Sequence, residues 1–86
     1  MTINLNLNDK KLLREINIDQ FPKILKNKNF KLIYGKFKKL VDILDIDPRM
    51  NRNEMEVIQK MFELIQTKYK LFKNEAYLKL YNKIKK

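Results

Sequence analysis

The sequence contains no cysteine, histidine, serine or tryptophan. Without cysteine there is no disulfide framework and no thiolate ligand, and without histidine no imidazole ligand. The Ser, Cys and His devices of nucleophilic catalysis go with them. Glycine occurs once, at Gly35, and proline twice, at Pro22 and Pro48. A single glycine cannot build a phosphate-cradling loop. So few loop formers predict short connections, no linker and mostly helix. No apolar run approaches the ~18 residues of a membrane span. The start of the chain, Met1 to Asn8, has neither a basic region nor a continuous apolar stretch, so no signal peptide is read there. The expectation is an intracellular protein of the cytoplasm, nucleoid or nucleus, without disulfides.

What is present is positive charge. The 86 residues include 20 Lys and Arg against 10 Asp and Glu, a net charge of +10. A surplus of this size on one small domain favours polyanionic partners. An A/T-rich genome would also enrich the 17 Lys, 10 Asn and 10 Ile. It would enrich Glu as well, and Glu stays at 5, so codon bias explains Lys over Arg better than it explains the sign. The charge is blocked: residues 1–22 are neutral, 23–39 carry seven Lys and no acid, 40–67 are net −3, and 68–86 are net +6. Folding can join the two basic blocks into one patch or lay the acidic block against them.

Hydrophobic spacing predicts an all-α fold, a compact bundle of four to five helices with an extended N-terminal arm. Ile3, Leu5 and Leu7 alternate with Asn4, Asn6 and Asn8, so residues 1–8 read as an arm or a disordered terminus. Residues 9–86 read as a single helical domain. Asp9 is expected to cap a short helix, Lys10 to Ile16, and Asp19 a second one with Pro22 in its first turn. Phe30 to Asp45 is strongly amphipathic through Phe30, Ile33, Tyr34, Phe37, Leu40, Val41 and Leu44. Leu32, Lys36, Lys39 and Ile43 form its mixed side. Gly35, mid-helix, suggests close packing or the approach of a ligand backbone.

After Asp47-Pro48, Asn51 and Glu54 have capping-box spacing and open the longest helix, roughly Arg52 to Lys73. Met55, Ile58, Met61, Phe62, Ile65, Tyr69 and Phe72 make its main stripe. Val57, Leu64 and Leu71 make a second one, to be covered by the short N-terminal helices or by another chain. A monomer is the favoured reading, with a dimer through Val57, Leu64 and Leu71 as the alternative. Asn74 restarts a helix whose apolar face is Ala76, Tyr77, Leu80, Tyr81 and Ile84.

Catalysis requires a nucleophile, a base or a metal. Asp42, Asp45 and Asp47 are the one carboxylate cluster, and acids beside a proline more simply favour a turn. No catalytic, cofactor or metal site is expected, and the protein is read as a non-enzyme. What remains is a phosphate-backbone grip on DNA or RNA by two Lys-rich blocks. The candidate contacts are Lys31, Lys36, Lys38 and Lys39 in the first block and Lys79, Lys83, Lys85 and Lys86 in the second. Arg49 and Arg52, beside Asn51 and Asn53, complete the set. Three Arg in all argue against base-specific readout. Most aromatics fall on core faces, with Tyr77 and Tyr81 as the best candidates for stacking on bases. The alternative function is a protein-interaction module or inhibitor, of the kind viruses, phages and mobile elements encode. It would dock on an acidic face of a larger host complex, or on that complex's nucleic-acid channel. Membrane-surface binding through the last helix is a third, weaker reading.

Overall fold

In this serine-free chain, asparagine starts every α-helix. The computed structural model describes residues 3–24, 26–47 and 49–85. Within them are four α-helices: α1 (Leu7–Glu15), α2 (Lys28–Ile46), α3 (Arg52–Tyr69) and α4 (Glu75–Ile84). Their N-caps are Asn6, Asn27, Asn51 and Asn74, each accepting a first-turn backbone N–H on its side-chain oxygen. In α3 the box closes as its spacing predicts: Glu54 N–H donates to Asn51 and Asn51 N–H donates to Glu54, both at 2.9 Å. The same device recurs in α1 between Asn6 and Asp9. Asp9 is therefore the residue that reaches back, not the cap, and the helix begins three positions earlier than expected.

The arm expected over residues 1–8 is correspondingly shorter. Met1 and Thr2 lie outside the described residues. Ile3–Asn4 (β1) pairs antiparallel with Arg49–Met50 (β2), in register Ile3 to Met50 and Asn4 to Arg49. This rung ties the start of α1 to the α2–α3 connection. The second short helix resolves into two 3-10 turns, Ile18–Gln20 and Pro22–Ile24. Leu25, Pro48 and Lys86 lie outside the described residues.

The helix expected to be the longest, α3, is shorter than its hydrophobic pattern and, at 18 residues, one residue shorter than α2. It stops at Tyr69 because Lys70 takes a left-handed conformation, φ 52°, and its N–H bonds back to Gln66 O at 3.0 Å. A 3-10 turn, Leu71–Lys73, follows, and Gln66 Oε1 accepts the Phe72 N–H at 2.7 Å. The left-handed position, uncommon for a side chain with Cβ, reverses the chain so that Phe72 folds back on Phe62 and Tyr81.

α3 is the centre of the bundle, packed against α2 on one side and α4 on the other, with α1 touching both outer helices. The mid-stripe residues Phe37, Leu40, Ile58, Phe62 and Ile65 are all buried. From α4, Tyr77, Leu80, Tyr81 and Ile84 close the core, while Ala76 is exposed. Phe21 meets the end of α3 edge-on, 5.1 Å from the Tyr69 ring. No helix among the described residues is long and apolar enough to cross a membrane.

Gly35 does not serve packing within the chain, because a Cβ built on it meets no atom within 4 Å. Replacing Gly35 by Ala should therefore raise stability by about 0.5–1 kcal/mol, the helix-propensity difference. Thermal melts check this, and a lower melting temperature would show a steric role that the bundle does not reveal.

Candidate nucleic-acid interface

A helix distributes consecutive lysines around its axis, and this decides what the first Lys block becomes. Lys31, Lys38 and Asp45 are spaced by seven and form one stripe of α2. Asp45 forms an ion pair with Arg14 of α1, so this stripe borders α1. Lys36 and Lys39 turn to the far side, along the groove between α2 and α3. The four lysines therefore serve two different surfaces.

Both arginines of the expected site are engaged locally. Arg49 forks onto Asp47, Nε to Oδ1 at 3.1 Å and Nη2 to Oδ2 at 3.2 Å. The guanidinium holds the Asp47 carboxyl below its usual range, and the carboxylate raises the Arg49 pKa in turn. Arg52 sits 4.0 Å from Glu56 one turn along α3. Arg14 is paired with Asp45, so every arginine faces a carboxylate, and the bidentate fork that reads guanine is occupied in Arg49.

The second block also divides. Lys83 is exposed, as its place on the solvent face predicts, but its Nζ donates to Asp9 Oδ2 at 2.7 Å. Its side chain is 39% exposed and that of Asp9 only 12%. Lys83 is thus a strut between α4 and the first turn of α1, which corrects its reading as a free cation. Lys79 lines the same α1–α4 cleft and forms no ion pair among the described residues. Lys85 lies on the opposite flank of α4, its Nζ 5.7 Å from the Tyr81 ring centroid. Lys86 lies outside the described residues.

The tyrosines proposed for base stacking are core residues. The Tyr77 hydroxyl donates to Leu12 O at 3.1 Å, and the Tyr81 hydroxyl donates to Glu63 Oε2 at 2.6 Å. Burial, then the charge of Glu15, raises the Tyr77 pKa, whereas the hydrogen bond to Glu63 leads the rise at Tyr81. None of the nine aromatic side chains is fully exposed, so none offers a bare stacking platform. Nor do Asp42, Asp45 and Asp47 converge: two of them hold arginines, and no group of carboxylates suited to a metal ion occurs among the described residues.

The structure adds two lysines that sequence reasoning passed over. Lys10 and Lys11 lie on α1, where they line a cleft of about 410 Å³ together with Arg14. Lys11 also borders a second cleft, on the α4 side. The balanced charge of residues 1–22 concealed them. The available signal was the Lys10-Lys11 pair itself, next to acids that fold into internal contacts. Lys10, Lys11, Lys31, Lys38 and Lys79 thus belong to α1 and to the elements flanking it. Glu15, Asp42 and Glu75 stand four residues from Lys11, Lys38 and Lys79 on their helices.

No protein-family model, curated protein or solved structure matches this chain.

Proposed function

We propose that the protein is a non-enzymatic binding module that grips the phosphate backbone of DNA or RNA along α1 and its flanks. One observation carries this reading. Two acids on this side are consumed by internal pairs, Asp9 with Lys83 and Asp45 with Arg14. Lys10, Lys11, Lys31, Lys38 and Lys79 form no ion pair with any described residue. Lysines outside ion pairs bind phosphates by releasing counterions, which is sequence-independent and weakened by salt. The locally paired arginines and the lack of a fully exposed aromatic among the described residues support backbone contact over base readout.

Fluorescence anisotropy with several unrelated oligonucleotides across a salt series tests the reading. Affinities should agree within a few-fold among sequences and fall steeply with salt. Removing Lys11, Lys38 or Lys79 singly should reduce the slope of log K against log salt by about one each. Lys79→Glu should weaken binding more than Lys79→Ala, because repulsion replaces attraction. Wild type without salt-dependent binding, or Lys79→Glu binding like wild type, would remove the grip from this face.

A further inference from the structure

The second apolar stripe of α3 is covered only in part: Val57, Leu64 and Leu71 pack against the core but none is fully buried. Val57 and Leu64 face α2 across a shared groove and remain half-buried. The helices run antiparallel there: Leu40 lines one end of the groove with Val57, and Ile33 lines the other with Leu64. The two hollows along it measure about 280 and 310 Å³. Ile43, 54% exposed, extends the apolar floor, and Leu32, 67% exposed, stands on the outer side of α2.

The walls carry three lysines against two carboxylates. Lys36, Lys39 and Lys60 line the groove and form no ion pair among the described residues. Its two carboxylates, Glu54 in the α3 capping box and Glu63 under the Tyr81 hydroxyl, accept from neutral donors and form no ion pair with the three lysines.

We infer that the α2–α3 groove is a docking site for an acidic amphipathic helix of a partner protein. Such a helix lays its apolar i, i+3, i+4, i+7 face on Ile33, Ile43, Val57 and Leu64 and its flanking carboxylates on the three lysines. Charge complementarity selects this occupant. A second copy brings another +10, and like charge opposes its approach. Nucleic acid has no use for an aliphatic floor without exposed aromatics. The inference stands apart from the phosphate grip, which uses the other side of α2.

The probe is a synthetic peptide of about 18 residues, five helical turns. It carries Leu at the groove spacing and Glu on both flanks, and a scrambled peptide of identical composition is the control. Titrated into the full chain, the patterned peptide should bind at least about tenfold tighter than the scramble. Lys60→Glu should weaken it about tenfold, while Lys31→Glu, on the opposite flank, should change it by no more than about twofold. Leu64→Asn should weaken it too. Because Leu64 is half-buried, the exposed Lys60 variant carries the test if Leu64→Asn fails to fold. Equal binding of the scramble, or equal sensitivity to Lys31→Glu, would overturn the groove in favour of unspecific charge. Self-association that Leu64→Asn abolishes would assign the groove to a second copy. Displacement of the peptide by a short DNA duplex would return it to nucleic acid.

Discussion

Truncating Phe62 to alanine should lower stability by about 3–5 kcal/mol, the range for emptying a buried aromatic site. Phe62 has no exposed surface and sits on the side of α3 that receives the end of the chain. The Phe72 ring meets it at 6.5 Å and 77°, and the Tyr77 ring at 5.8 Å and 90°. Both contacts are edge-to-face, the favourable geometry for aromatic pairs. The residue thus holds the 3-10 turn and α4 onto α3, and its loss loosens two elements at once. Small domains have only about 5–15 kcal/mol in total. The melting temperature should fall by about 12–40 °C at this chain length. Urea and thermal unfolding followed by circular dichroism measure it, and a variant melting within a degree or two of wild type would refute this packing.

The fold was legible wherever the signal is local. The α2 stripe from Phe30 to Leu44 announces itself by spacing, and the Asn51-x-x-Glu54 box fixes the start of α3. What escaped has physical reasons. Asn6-x-x-Asp9 carries the same box, but Asp is itself a good cap, and the choice between them depends on which side chain reaches back. The end of α3 turns on Lys70, a residue with no special preference for the left-handed region, so no glycine or asparagine marks the reversal. The hydrophobic pattern continues through Phe72 because that ring does enter the cluster, by a turn rather than by a helix.

The site was legible as an amount of charge but not as an arrangement. Sequence blocks follow the chain, whereas surfaces follow helix faces, so one block supplied both the α1 flank and the α2–α3 groove. Pairing across distance is silent in sequence. Asp9 and Lys83 lie 74 positions apart, Arg14 and Asp45 fall in different charge blocks, and only folding shows which cations are spent.

That spent cation gives the second large effect. Lys83→Glu should destabilise the protein by about 1–2 kcal/mol, and Lys83→Met by about 0.5–1, because a charge-assisted hydrogen bond, screened by solvent at the exposed Lys83, is lost and, in the Glu variant, repulsion is added. Asp9 Oδ2 accepts both the Lys83 ammonium at 2.7 Å and the Asn6 backbone N–H at 3.2 Å. One carboxylate oxygen therefore holds the first turn of α1 closed and anchors it to α4. The reversed pair, Asp9→Lys with Lys83→Glu, restores opposite charges but not the box, and it places a cation at the positive end of a helix. It should recover part of the loss and remain below wild type. Lys79→Glu, four positions away and without an ionic partner among the described residues, should melt like wild type. The contrast separates structure from binding. Lys79→Glu should weaken oligonucleotide affinity with the fold intact, whereas Lys83→Glu should weaken it by loosening the helix that carries Lys10 and Lys11. Equal melting of Lys83→Glu and wild type would make Lys83 a free cation again and dissolve the strut.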